Sequence, residues 1–206
     1  KKIFQSKYLK SKYPYYFFPE VKPFMDEKWF LNKRCCSENV YKLSKFNKKL
    51  PDNFIEMRRL GENENYICEL IRNDSVENFI AYVNKNNYSL DSIIKSSIYE
   101  TNSFLIKKQN EYEYQSSLEY YGCRSKNEKD NKLTLIKYAA FFGSIQIFKY
   151  LQMNNVELTP QLWYFAIHGK NAEIIHILEE NHVELENLYE ECFKEATKCH
   201  YNEIAN

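Results

Sequence analysis

Two stretches of the chain carry almost the same apolar rhythm. Residues 136–151 read IKYAAFFGSIQIFKYL, and residues 163–178, 27 positions on, read WYFAIHGKNAEIIHIL. Ala139 falls on Ala166, Ile147 and Phe148 on Ile174 and Ile175, Leu151 on Leu178 and Asn154 on Asn181. The match runs on into VEL at 156–158, which recurs at 183–185. Within each copy the apolar positions recur three and four apart in two short runs, the pattern of two helices joined by a turn. Thr134 is placed to cap a helix carrying Leu135, Ile136, Tyr138 and Ala139. After a turn at 142–144, Ile145, Ile147, Phe148 and Leu151 line a second helix. In the next copy Thr159 offers the cap oxygen, and Pro160, which has no amide hydrogen to satisfy, takes the first helical position. Asn154 and Asn181 follow the second helices, where a left-handed residue commonly ends the helix.

Two weaker copies flank this pair. FIAYVNKNNYSL at 79–90 matches IFKYLQMNNVEL at 147–158, with Phe79, Ile80, Val83 and Asn86 in the places of Ile147, Phe148, Leu151 and Asn154. Near the end, Ala196 and Glu203–Ile204 fall on Ala166 and Glu173–Ile174. A single helix pair cannot bury its own apolar face, so neighbouring pairs must stack. The pattern therefore predicts an all-α repeat solenoid of stacked antiparallel helix pairs over residues 65–206. Within it, LDSIIKSSIYETNSFLIKK at 90–108 reads as two further short helices, and 109–132 as a long polar insertion without sustained period. Residues 1–64 form a less regular, basic and aromatic segment, placed to cap the first repeat.

Composition agrees with helices. The chain has only 4 Gly and 5 Pro, and four of the prolines (14, 19, 23 and 51) precede residue 52, which leaves the rest nearly free of breakers. The net charge of +1 hides an asymmetry. Residues 1–64 hold 15 Lys/Arg against 8 Asp/Glu, a balance of +7, and residues 65–206 hold the remainder, a balance of −6. An anionic partner for the basic part fits this, and so does contact between the two parts. The six cysteines are loosely spaced in mostly helical contexts, which points to free thiols in a reducing compartment, inside the cell and in the cytoplasm. No secretory leader or apolar run of membrane-spanning length is read, so no membrane span is expected.

TLIKYAAFFGSIQIFKYL resembles the ankyrin pattern T-P-L-H-x-A-A-x-x-G-x-x-x-I-V-x-x-L-L. GENENYICELIRNDSVENFIAYV, followed by YAAFFGSIQIFKYL and LWYFAIHGKNAEIIHILEEN, is similar to an expanded set of ankyrin-repeat proteins of unknown function from trichomonad protists. The resemblance covers roughly 54–206. It implies stacked helix pairs with a concave binding face, and it brings no catalytic residue with it. The period of 27 differs from the usual ankyrin length of about 33, so the β-hairpin fingers between pairs should be short or absent. The family's histidine position holds Lys137 in one copy and Tyr164 in the next. Gly143 fits the pattern, while its counterpart is Lys170 with Gly169 one step early.

Catalytic signatures fail in turn. With glycine only at 61, 122, 143 and 169, neither a phosphate loop nor a dinucleotide fingerprint can be built. His182-Val183-Glu184 has the form of a deaminase motif, but no P-C-x-x-C follows, and it falls in the linker of the repeat. Cys192, Cys199 and His200 are the best metal candidates, yet ligands seven apart on one helix do not chelate directly and no CxxC is present. Cys35–Cys36 are adjacent and far from any histidine. His168, His176 and His182, tested against Ser144 or Cys192, fall on ordinary repeat positions. No catalytic residue, metal or cofactor is expected.

Two features remain as binding candidates. Tyr138, Phe141 and Phe142 in one first helix, with Phe165 and His168 in the next, form an exposed aromatic set suited to gripping another protein. Lys1, Lys2, Lys7, Lys10 and Lys12, interleaved with Tyr and Phe, suit nucleic acid or another acidic surface. The expected function is a non-catalytic protein–protein interaction scaffold, a component of a larger assembly, with polyanion binding as the alternative.

Overall fold

A computed structural model describes residues 51–109, 132–185 and 188–201. The chain divides into two compact units. One comprises residues 1–63 with 97–101, and the other residues 64–96 with 102–206.

In the first unit, α1 (Phe54–Leu60) ends at Gly61, whose φ of 68° lets its N–H close on the Met57 carbonyl. Phe54 is buried and meets the Tyr99 ring edge-on at 5.5 Å. Thr101 donates through both N–H and Oγ1 to the Gly61 carbonyl.

The second unit is mostly helical. It contains α2 (Tyr66–Arg72), α3 (Val76–Lys85), α4 (Leu135–Phe142), α5 (Ile145–Met153), α6 (Leu162–Gly169), α7 (Ala172–Glu180) and α8 (Tyr189–Lys198). Residues 103–109 are also helical. Its first turn is held by Asn102, whose Oδ1 accepts from the N–H groups of Phe104 and Leu105. Among the described residues the only β pairing is an isolated bridge, Ile93 to Thr134.

Each first helix packs on the helix that follows it: α2 on α3, α4 on α5, α6 on α7. First helices also touch in the order α2, α4, α6, α8, and second helices in the order α3, α5, α7. The matched apolar positions are the core. Ala139, Ala166, Ile147, Ile174, Phe148, Leu151 and Leu178 are almost wholly buried, with Ile175 close behind. In α4 and α6 the burial extends around nearly the whole helix, as an all-round apolar sequence requires.

The turns follow one rule. A left-handed residue follows each of α2 to α8: Asp74, Gly143, Lys170 and His200 after first helices, and Asn87, Asn155 and His182 after second helices. After first helices, Ser75, Ser144 and Tyr201 donate to carbonyls five residues back, at Leu70, Ala139 and Ala196. After second helices, Tyr88, Val156 and Val183 donate in the same way to Val83, Leu151 and Leu178. Such closures satisfy carbonyls that a helix end leaves without partners.

Four sequence expectations are corrected here. The left-handed residue is the one after Asn154 and Asn181. Those asparagines keep negative φ and instead return their side-chain amides to the carbonyls four residues earlier, at Tyr150 and Ile177, both at 2.7 Å. Asn86 does the same to Tyr82. Thr134 and Thr159 do not cap with their side chains: α6 begins at Leu162 behind Gln161, and Thr159 Oγ1 is buried without a partner. The upstream copy aligns at an offset of 68 at the end of α3 but 69 at its start, because α3 is one residue longer than α5. Residues 90–108 hold one helical segment instead of two, since Ile93 and Ile94 are taken by pairing with Thr134 and Leu133.

Candidate functional site

The five aromatic-set residues are brought together, but not as an exposed face. Tyr138, Phe141 and Phe165 are buried, and only Phe142 and His168 keep part of their surface. The expectation of an exposed set is therefore corrected for those three. The reason is Phe104, delivered by the helical segment 103–109. Its ring stacks on Phe141 at 5.7 Å, meets Phe165 edge-on at 5.3 Å and lies 4.0 Å from the His168 ring. Phe142 leans on both Tyr138 and Phe141, at 4.7 and 5.0 Å. Beneath them the Tyr138 hydroxyl accepts from Arg72 at 3.0 Å. Leu105, beside Phe104, is itself part of the core.

One turn further along the same segment, Lys108 holds its ammonium 5.0 Å over the Tyr164 ring, a cation–π contact. The Tyr164 hydroxyl donates to the Glu191 carboxylate on α8. Burial and that acidic partner push the phenol well above its ordinary value.

His168 is the polar centre of the seam between α6 and α8. Its Nε2 lies 3.3 Å from Glu195 and its Nδ1 3.4 Å from the Cys199 sulfur. Burial resists ionisation of Glu195, but Lys198 and His168 together outweigh it and hold the carboxyl below its usual value. An ionised carboxylate only accepts, so Nε2 carries the imidazole proton and Nδ1 accepts from the thiol. The order Cys–His–Glu is that of a nucleophilic triad. Its electrostatics run the other way. Burial lowers the affinity of His168 for a second proton, against the pull of Glu195. Burial and Glu195 raise the Cys199 thiol, which also sits at the C-terminal end of α8, where carbonyl dipoles disfavour a thiolate. Cys192, deeper in the same seam, is pushed up to about 12 by burial and by Glu191 and Glu195. Both shifts favour the protonated thiol, and the contacts of His168 join α6 to α8 in a packed, hydrogen-bonded seam.

The chain matches no protein-family model, no curated protein and no solved structure.

Other candidates place as follows. Lys1, Lys2, Lys7, Lys10 and Lys12 lie outside the described residues, as does the interior of the 109–132 insertion. His200 is exposed and in the left-handed link, away from the ring-to-sulfur contact of its neighbour. Among the described residues no group of three or more His, Cys, Asp or Glu is set to hold a metal, and no helix is long and apolar enough to cross a membrane. A shallow recess of about 480 Å³ lies at Leu158, Pro160 and 181–184, between the loops that follow α5 and α7. It is lined by linker residues, three of them polar (Asn181, His182 and Glu184).

Proposed function

We propose that residues 65–206 form a divergent ankyrin-like repeat solenoid that binds another protein, without catalysis, as a scaffold within a larger assembly. The observation that carries this reading is the recurrence of one closed unit. Successive helix pairs share the same left-handed link and meet their neighbours first helix to first helix and second to second. Units joined in this way present one long surface, and proteins built so commonly use it for partners. The aromatic set then contributes mainly from below: Phe142 and His168 offer accessible edges, shaped by the buried rings of Tyr138, Phe141 and Phe165. The test is affinity purification from the cells that make the protein, with crosslinking. A stoichiometric protein crosslinked near Phe142, and weakened at least about fivefold by Phe142→Ser, supports the reading. Recovery of no protein partner would sink it.

The charge balance of +7 in residues 1–64 favours one second reading, binding of nucleic acid or another polyanion through Lys1, Lys2, Lys7, Lys10 and Lys12. In that case affinity for a generic polyanion falls by orders of magnitude between about 50 and 200 mM salt if six or more phosphates are neutralised. Reversing those lysine charges abolishes it.

A further inference from the structure

We infer that the furrow between α4 and α6 is a helix-binding groove, filled here by the chain's own segment 103–109, and that an amphipathic helix of the same chemistry on a partner protein takes its place by exchange. The inference rests on the reading above that the repeats bind a protein, and it names the class of that partner.

The segment lies on the repeats without belonging to their period. Eight residues join α5 to α6 and eight join α7 to α8, whereas the helix 103–109 comes from the 49-residue passage between α3 and α4. Its contacts run in the opposite order to α6. Phe104 meets Phe165 and His168, and Lys108, one turn later, meets Tyr164, one turn earlier. Phe104 also stacks on Phe141 of α4, so its ring sits in the crease between two first helices. Leu105, beside it, is 1% exposed. The Lys108 ammonium is held between two rings, 5.9 Å from Phe104 and 5.0 Å from Tyr164. The Tyr164 hydroxyl is tied to the Glu191 carboxylate, which favours a cation at that end.

A helix bound in trans is gripped in the same way, by side chains one turn apart laid into an apolar groove. The furrow therefore specifies its occupant: an aromatic residue, an apolar residue directly after it, and a lysine or arginine four positions after the aromatic. The resident copy is built to exchange. Seven residues are too few for a helix to persist alone, and its first turn is held by the single residue Asn102. Its departure leaves Phe141, Phe165 and His168 uncovered, and that apolar surface gains by taking a second helix. Because a tethered segment competes at an effective concentration on the order of millimolar, occupancy by 103–109 sets the threshold a partner must exceed.

The test uses the full chain and a fluorescein-labelled peptide copying residues 101–109, TNSFLIKKQ, with blocked ends, followed by fluorescence anisotropy. The peptide should bind the Phe104→Ala chain at least about tenfold more tightly than the wild-type chain, whose tethered copy keeps its anchor. The same peptide with Phe104→Ala should bind neither. Equal affinity for the two chains, or no binding to the Phe104→Ala chain at about 1 mM peptide, overturns the inference. Hydrogen exchange on the wild-type chain decides without relying on the variant's folding: the amides of 106–109 should exchange at least about tenfold faster than those of α4 and α6. One common rate for all three would also overturn it, because the segment then opens only with the core. A partner captured at Phe142 by a chain whose 103–109 stays as protected as α4 and α6 keeps the scaffold reading and ends this one. Peptide exchange with no protein recovered from cells ends the scaffold reading and leaves the furrow a helix-binding groove.

Discussion

The carbonyl oxygen of Ala140 lies 2.1 Å from the point a Cβ on Gly169 would occupy, and the Gly143 nitrogen lies 2.9 Å from it. At this spot α4 and α6 meet backbone to backbone. A methyl group cannot be absorbed by turning a side chain, since both obstacles are main chain. Gly169→Ala should therefore destabilise at the upper end of the usual overpacking range, about 3 kcal/mol, read as a fall in the urea midpoint. A loss under about 0.5 kcal/mol would show that the two helices are farther apart than described.

Asp74, in the link between α2 and α3, reaches the start of α5. Its two carboxylate oxygens accept from the N–H groups of Gln146 and Ile147, each at 3.0 Å, at the start of α5. Asp74→Ala removes both bonds and should cost about 0.5–2 kcal/mol, the range for loss of a cap. Asp74→Asn keeps one acceptor and tolerates the left-handed backbone at φ 48°, so its cost should be smaller. Equal losses for the two variants would count against the capping role.

Leu151 and Leu178 hold equivalent core places, both fully buried. Truncation of either to alanine should cost about 2–5 kcal/mol, and the two costs should be similar if the places are equivalent. Chemical denaturation of the two single variants measures this directly. A near-neutral result at one of them would break the register.

Acid should loosen the α6–α8 seam. Folding lowers the proton affinity of His168, whose ordinary value is 6.5. Above that value the imidazole is neutral in both states and its contribution is constant. As pH falls below it, the unfolded chain takes up a proton that the folded chain resists, so stability drops through the folded value. Glu195, held below its ordinary 4.5, adds a second loss at lower pH. Melting temperature followed from pH 7.5 to 4 should decline from about 6.5 downward. The upper part of that decline should flatten in His168→Phe, which keeps a ring against Phe104 and Phe141. An unchanged profile in that variant would remove His168 from the account.

The helix pairs were legible because their packing is written locally. Ala139, Ile147 and Leu151 recur at 166, 174 and 178, and each repeats one environment. Phe104 was not legible as the cover of Phe141 and Phe165, because it comes from a segment outside the period. Nor was the seam at His168, whose sulfur contact lies 31 residues away and leaves no trace in spacing. Tyr138, Phe141, Phe142, Phe165 and His168 lie in one ring cluster around Phe104, and Tyr138, Phe141 and Phe165 are buried in it. Whether a ring on a first helix faces solvent depends on what another part of the chain lays over it.

The closing link after each first helix has a consequence for how such a chain can change length. Gly143 and Lys170 sit two residues before α5 and α7, and Asp74 two before α3, so the passage from first to second helix has no slack. The passage from a second helix to the next first helix is different. It takes eight residues between α5 and α6 and eight between α7 and α8, but 49 between α3 and α4, where the chain also finds room for Phe104 and the polar insertion. Foreign sequence spliced after Asn155 should be carried as a surface addition, whereas the same splice after Gly143 would part α4 from α5. Growth by insertion is thus confined to one kind of junction, and the most heavily enlarged one has contributed a piece of the core.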